Sequence, residues 1–535
     1  MSKDIKEIVI VGGGSAGWMS ASTLVRFLPN IKITLVESPN VPSVGVGEST
    51  QANLKNWMNV LGINQNDFMH ETDAGLKYGI MYKDFYEIED DGYFYPFGPG
   101  IFSNSYNATM WQFKKLLYPN ISVKDYCNSF YSQMALMENN KISMNEDGML
   151  DKFNPYNDVS FHFDAIKFAL FLRDKYAIPR GVIHKLAEVE DAILDEDGIK
   201  ELKLSTGESI TADMFIDCTG FKALLIDKYL NEPLISFEKE LPTNRAWAIQ
   251  IPYDDNKKEE LINYTTATAL SSGWVWAAPL WSRIGTGYVY SDKFISPEDA
   301  ANEFRQYLQK VRGKERIPDD IQFRDISFYS GIRERTWVKN VVAIGLSASF
   351  LEPMEGNGLY SIHEFIMRLV KVLSKGFVNQ WDRDSYNWVI NDMTLGFKEF
   401  IQSHYFLSRR NDSEFWKYMT ENSPVLNLNN KTIEQTRVKK LLAYPKLYPF
   451  AEIDTSANSG WHCTMIGMNY SLIGEETLNQ YNIFESVAIE DQVKDFVAKN
   501  AMYRVKWSNA VKDSPSHFDY LSPARFLAAQ LLLEE

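Results

Sequence analysis

A glycine-rich run near the start of the chain, Gly12-Gly13-Gly14-Ser15-Ala16-Gly17, has the spacing that brings a pyrophosphate onto a backbone. Gly12 can make a tight turn, Gly14 lets phosphate oxygens approach the main chain, and Gly17 lets helix and strand pack closely. Phosphate would sit at the helix start formed by Ser15 and Ala16, where free N–H groups and the helix dipole favour negative charge. Glu37, 20 positions after Gly17, is placed to accept hydrogen bonds from a ribose. A glycine-rich turn without ligand is the bland alternative, and strand, turn, helix, strand and acid in that order outweigh it. The motif alone does not choose FAD over NAD. Three further segments shift the choice to FAD: Gly45-Val46-Gly47-Glu48-Ser49-Thr50, Asp217-Cys218-Thr219-Gly220-Phe221, and Ile344-Gly345-Leu346-Ser347. Each alone is only a turn, but several strand ends converging on one ligand suit a large, mostly buried flavin. Gly47, Glu48, Ser49, Val189, Leu346 and Leu359 complete the expected cofactor contacts.

Such residues need a parallel sheet to position them. Residues 6–11 read as a buried strand, 15–27 as a helix and 31–36 as a second strand, a βαβ unit. Helical patterns follow the loop at 44–50 and run to about residue 81. Residues 92–111, rich in Tyr, Phe, Pro and Gly, read as an irregular aromatic loop. Residues 161–176 read as a helix, 182–211 as successive strands, 214–216 as a buried strand and 274–290 as alternating strand. A further buried strand at 341–344 leads into a helix at 360–375, and the chain from 398 looks largely helical. The spread of the nucleotide motifs predicts one discontinuous domain. The expected fold is α/β: a Rossmann-like FAD-binding domain of the flavin monooxygenase type in three parts (1–91, 155–235 and 326–397). Substrate-side insertions at 92–154 and 236–325 supply a substrate-binding sheet, and 398–535 forms a helical C-terminal region.

The 535 residues suffice for a large core, and the aromatic content of 14% suits a pocket lined with flat rings. A net charge of −15 argues against a surface that tracks nucleic-acid phosphates. The three cysteines are scattered without a CxxC pair and the seven histidines lack ligand spacing, so neither a disulfide framework nor a metal site is expected. The first apolar run, residues 8–11, is too short for a signal peptide, and no stretch approaches the roughly 18 apolar residues that span a bilayer. A cytoplasmic protein with no membrane association is expected; the sequence sets no oligomeric state.

Three stretches carry a closer likeness: GGGSAGWM, GWVWAAPL from Gly273 to Leu280, and SFLEPMEGNGLY from Ser349 to Tyr360. They resemble the flavin-dependent halogenases, the tryptophan halogenase branch especially, which combine an N-terminal GxGxxG with a mid-chain WxWxxP, here Trp274, Trp276 and Pro279. The likeness runs from residue 5 to about 375 and weakens afterwards. It implies that Lys77, in AGLKYGI, stands between flavin and substrate and handles hypohalous acid; its uncharged neighbours would desolvate the amine. It also implies that Glu355, not Glu352, polarises the hypohalous species or takes the ring proton. Read without the likeness, Glu355 is a helix-start acid paired with the dipole. The halide would rest on the amides of Asn357 and Gly358. The family more often has Ser-Thr-Gly where this chain has Gly356-Asn357-Gly358, which opens halide preference toward bromide or iodide. The two tryptophans would keep substrate from the flavin, or simply pack between domains.

The implied activity uses FADH2 from a separate flavin reductase, O2 and halide to make hypohalous acid, which halogenates an electron-rich aromatic small molecule, indole- or phenol-like. The family's Tyr-rich C-terminal segment that holds free tryptophan has no counterpart in residues 430–465, so free tryptophan is not the expected substrate. Phe97 and Tyr95 are candidates for a substrate wall, with plain packing as their alternative. A flavin monooxygenase that hydroxylates its substrate, or a non-catalytic flavoprotein, remain the competing readings.

Overall fold

In the computed structural model, which describes residues 3–40, 48–102, 104–143, 149–421, 459–470 and 489–522, the first apolar run forms the buried strand Glu7–Val11. Continuous rather than alternating hydrophobicity marks a strand covered on both faces. It pairs in parallel with Lys32–Glu37 on one side and Met214–Asp217 on the other. The six-stranded order is Trp337–Val338, Val341–Ala343, Met214–Asp217, Glu7–Val11, Lys32–Glu37, Ile183–Leu186. All neighbours are parallel except the first pair. The chain leaves Glu7–Val11 in one direction and returns later on its other side, so the carboxyl ends of these strands open at a topological switch point, where such sheets bind ligands. The helix Ser15–Phe27 buries Trp18, Met19 and Leu24 and packs against the helix Asn357–Leu373.

The chain forms two compact units. The first comprises Met1–Ala74, His162–Arg245 and Ile326–Phe397 and holds this parallel sheet; the second comprises Gly75–Phe161, Ala246–Asp325 and Lys398–Glu535. In the second, the strands Arg283–Tyr290, Gly273–Pro279, Thr265–Leu270, Gly79–Lys83 and Tyr93–Pro96 lie side by side. All are antiparallel except Thr265–Leu270 with Gly79–Lys83. Val275, Tyr288 and Tyr290 pack on Ala300, Phe304 and Leu308 of the helix Pro297–Arg312. That helix starts sharply because Ser296 accepts the Asp299 N–H at 3.1 Å and Pro297 occupies the first turn, where its missing N–H costs nothing.

Several sequence expectations are corrected. The helical reading holds for Asn53–Leu61 and Gln65–Glu71, but the strands Gly75–Lys77 and Gly79–Lys83 replace the helix expected up to residue 81. Pairing with Thr265–Leu270 overrides local propensity there and draws residues 75–91 into the second unit rather than the nucleotide-binding part. Residues 155–161 also fall in the second unit, and 236–245 in the first. The presumed irregular stretch 92–111 holds the strand Tyr93–Pro96 and most of the first turns of the helix Asn104–Leu117. The helix expected from 161 begins at Ala165, after the strand Ser160–Phe163, because Asp164 accepts the N–H groups of Ile166 and Lys167 at 2.9 and 3.0 Å. Among the described residues no helix is long and apolar enough to cross a membrane, and no group of His, Cys, Asp or Glu is placed to hold a metal ion.

Candidate active site

In the first unit, Gly12 adopts φ +115°, and a Cβ there would lie 2.2 Å from the Cys218 carbonyl oxygen. A Cβ on Gly17 would lie 1.8 Å from the Gly12 carbonyl oxygen, so the turn closes onto its own helix. Gly14 is different: it is the N-cap of Ser15–Phe27, no side chain caps that helix, and nothing lies within 4 Å of a Cβ built on it. An uncapped helix start with open space before it fits a pyrophosphate, which would take up the N–H groups of Ser15 and Ala16.

Glu37 ends the strand Lys32–Glu37, and its Oε2 lies 2.8 Å from His184 Nε2. The Trp18 ring meets His184 edge-on at 5.1 Å. A Cβ on Gly13 would lie 2.4 Å from Glu37 Oε1, so the carboxylate abuts the glycine turn. Gly345, with φ +78°, sits where a Cβ would touch Ala16 Cβ at 2.8 Å. This brings half-buried Leu346, next to Gly345, beside Ala16, while Leu359 is buried in the helix Asn357–Leu373. The Asp217 carboxylate is fully buried and accepts the N–H groups of Thr219, Leu225 and Ile226 at 3.0, 2.7 and 2.9 Å, locking the DCTG turn. Burial pushes its pKa up despite those bonds. Val189 begins the strand Val189–Asp195, two residues after Ala187, whose N–H donates to the Glu37 carbonyl at 2.9 Å. The backbone of Glu48 and Ser49 pairs with Phe163 and His162. Gly47 lies outside the described residues, as do Gly45 and Val46.

At the same unit's second helix start, the short turn Pro353–Glu355 leads to Gly356, whose φ of +63° is left-handed and whose Cβ would lie 2.6 Å from the Ser49 carbonyl oxygen. Gly356 is the N-cap of Asn357–Leu373, again without a side-chain cap. Asn357 is buried, while Gly358 is exposed with nothing within 4 Å of a Cβ. Their amides can therefore hold a small anion. Glu355 is fully buried, and its carbonyl accepts a hydrogen bond from Gln51 Nε2 at 3.0 Å. Glu352, equally buried, accepts the Thr243 hydroxyl through its carboxylate.

In the second unit, Lys77 closes the strand Gly75–Lys77 and is fully buried. Its Nζ stands 4.8 Å from the centroid of buried Phe97. Half-buried Tyr95 meets Phe97 edge-on at 5.8 Å and Phe400 at 6.3 Å, and Phe400 meets Trp461 at 5.3 Å. Gly460 makes room for this ring series, since its Cβ would lie 2.8 Å from Phe400. Phe97 and Tyr95, the two rings expected from the sequence, thus share one series with Phe400, a helix residue with no local signal separating it from core. Trp274 and Trp276 project from one face of their strand, ring centroids 6.4 Å apart, with Trp274 buried and Trp276 half-buried. Gly287, opposite Trp276 in register, is required there: its Cβ would lie 2.1 Å from the indole.

A family model described as tryptophan halogenase matches residues 7–471. Tryptophan 6-halogenase ThaL of Streptomyces albogriseolus is 33% identical over 434 residues, 78% of this chain and 79% of that protein. The apo structure of VirX1 superposes with a TM-score of 0.87 at 32% identity, covering 97% of this chain and 98% of the other. The crystal structure of a tryptophan 6-halogenase, SttH from Streptomyces toxytricini, gives a TM-score of 0.80 at 27% identity over 96% of this chain and 99% of its own.

Proposed function

This chain belongs to the tryptophan halogenase family of flavin-dependent halogenases, and we propose that it uses Lys77 and Glu355 to halogenate electron-rich aromatic small molecules of the indole or phenol type. The observation that carries this reading is the fully buried Lys77 amine facing the Phe97 ring. When bound, FAD, delivered reduced by a separate reductase, supplies with O2 the oxidising power that turns halide into hypohalous acid. The protein binds, orients and separates. The glycine turn from Gly12 to Gly17 holds the pyrophosphate and Glu37, braced by His184, takes the ribose. The amides of Asn357 and Gly358 hold the halide. Hypohalous acid reaches Lys77, which presents the halogen to a ring carbon, and Glu355 polarises the halogen donor or accepts the proton lost from that carbon. Phe97 and Tyr95 form a wall that fixes the ring for attack. Trp274 and Trp276 keep the substrate from the flavin.

The expectation against free tryptophan rests on residues 430–465, of which 430–458 lie outside the described residues. The relative ThaL is named for tryptophan, so free tryptophan stays in the substrate class beside simple indoles and phenols. With Gly356 in place of a serine, the anion site is left to two backbone amides. A larger halide gives up its hydration at lower cost, which favours bromide or iodide over chloride. The test is turnover with reduced FAD, O2 and each halide in competition, on a panel of tryptophan, indole and phenol. Halogenated product that requires halide, with bromide or iodide ahead, is expected. Hydroxylated product in the absence of halide would overturn the reading.

A further inference from the structure

Beyond residue 471, where the family match ends, the chain returns to the strand that carries Lys77. His517 is fully buried. Its Nε2 accepts the Leu76 N–H at 2.9 Å, and its Nδ1 donates to the Leu261 carbonyl at 3.0 Å. One neutral tautomer, with the proton on Nδ1, satisfies both bonds at once. Gly75–Lys77 is an edge strand, so an outward N–H there needs an acceptor from elsewhere in the fold. The imidazole provides it, and Gly75 lets the ring approach, since a Cβ there would lie 3.3 Å from His517 Cε1.

The bonds on the other side of Lys77 complete a cradle. The Tyr78 N–H donates to the Asn263 carbonyl at 2.8 Å, and Asn263 Nδ2 donates to the Lys141 carbonyl at 2.9 Å. The amides flanking Lys77 are thus held by His517 and by a turn, 261–263, that His517 itself bonds. The imidazole is in turn well fixed. The His517 N–H donates to the Asn140 carbonyl at 2.9 Å, the Ile142 N–H to the Pro515 carbonyl at 3.0 Å, and Lys141 Nζ to the Val511 carbonyl at 2.9 Å. Next door, the Phe518 ring meets Trp281 at 5.6 Å. Burial lowers the His517 pKa to about 4, in keeping with the neutral ring the geometry requires.

We propose that His517 is a positioning residue for the halogenation step: through the Leu76 amide it fixes where the Lys77 amine stands. The proposal rests on the reading of Lys77 given above. The strand is only three residues long, so releasing the Leu76 N–H displaces Lys77 directly, and a misplacement of about 1 Å can cost about 10²-fold in rate.

The experiment compares His517→Ala, His517→Asn and His517→Gln in the full chain, with Lys77→Met alongside. Gln places an amide oxygen near the Nε2 position and can still accept from Leu76. Asn reaches only the Nδ1 position, and Ala reaches neither. The readouts are FADH2 consumed, halogenated indole formed, hypohalous acid captured by an added 1,3-diketone, and thermal midpoint. For Ala and Asn, product per FADH2 should fall about tenfold or more and captured hypohalous acid should rise, with the loss in kcat rather than in KM. Gln should recover most of the yield. If Ala does not fold, the contrast between Asn and Gln decides. Equal yields from Asn and Gln, or a loss that only follows the thermal midpoint, would overturn the proposal. Undiminished product from Lys77→Met would remove the Lys77 reading itself. Loss of product in Lys77→Met with full yield in the His517 variants would sink this inference alone.

Discussion

The Lys77 ammonium nitrogen lies 4.8 Å from the centroid of the Phe97 ring, inside the second unit and out of contact with solvent. A lysine ammonium over an aromatic face in a desolvated site gains about 2 kcal/mol from the ring quadrupole. Phe97→Leu keeps the apolar volume and removes that face. It should lower kcat/KM for indole by about tenfold, corresponding to about 1.4 kcal/mol, with the thermal midpoint nearly unchanged. Wild-type kcat/KM would mean that the ring only packs.

Glu355 and Glu352 are both fully buried three positions apart, yet only one is assigned to chemistry. The Glu352 carboxylate accepts the Thr243 hydroxyl, and Glu355 ends the turn that leads into the helix start of Asn357 and Gly358. Glu355→Gln, isosteric and uncharged, should reduce kcat by roughly 10²–10⁴-fold. Wild-type turnover in that variant would leave Glu355 as a helix-start acid.

Gly14 separates the needs of the ligand from those of the fold. The Cβ of alanine at this position meets nothing within 4 Å, so Gly14→Ala should fold with a wild-type thermal midpoint. Phosphate oxygens would meet the new methyl group, and the Kd for FAD in a flavin fluorescence titration should rise about tenfold or more. Unaltered FAD affinity would place the pyrophosphate elsewhere. The same substitution at Gly12 is no such probe, because φ +115° and the Cys218 carbonyl at 2.2 Å forbid it in the protein itself.

His517 makes stability depend on pH in a definite direction. Its pKa falls from 6.5 to about 4 on folding, so between those values the unfolded chain binds more protons than the folded one. The stability contributed is complete above about pH 6.5 and is lost as pH falls toward 4, in total on the order of 3 kcal/mol. Urea unfolding at pH 7 and pH 4.5 should show a smaller difference for His517→Gln than for the wild type. An equal difference would mean that the imidazole does not stay neutral in the fold.

What the sequence could reveal depended on how local each signal was. The turn from Gly12 to Gly17 and the helix Ser15–Phe27 are legible because strand, glycines, helix and acid follow one another within 40 residues. The strands Gly75–Lys77 and Gly79–Lys83 read as helix because the pairing that defines Gly79–Lys83 is with Thr265–Leu270, far along the chain. The helix Asn104–Leu117 hides behind the Pro- and Gly-rich run that precedes it. His184 beside Glu37 and His517 beside Leu76 carried no signal at all, since their partners lie 147 and 441 positions away. A turn carried by a local motif is readable from one chain; the side chains that bond it from distant segments are not.

The central claim is that this chain makes an electrophilic halogen and passes it through Lys77. Its most direct test is Lys77→Ala, assayed with a flavin reductase, FAD, halide and indole, following FADH2 consumption and halogenated indole together. Continued FADH2 consumption with no halogenated indole above the non-enzymatic background is expected. Halogenated indole at the wild-type rate from a folded Lys77→Ala protein would contradict it.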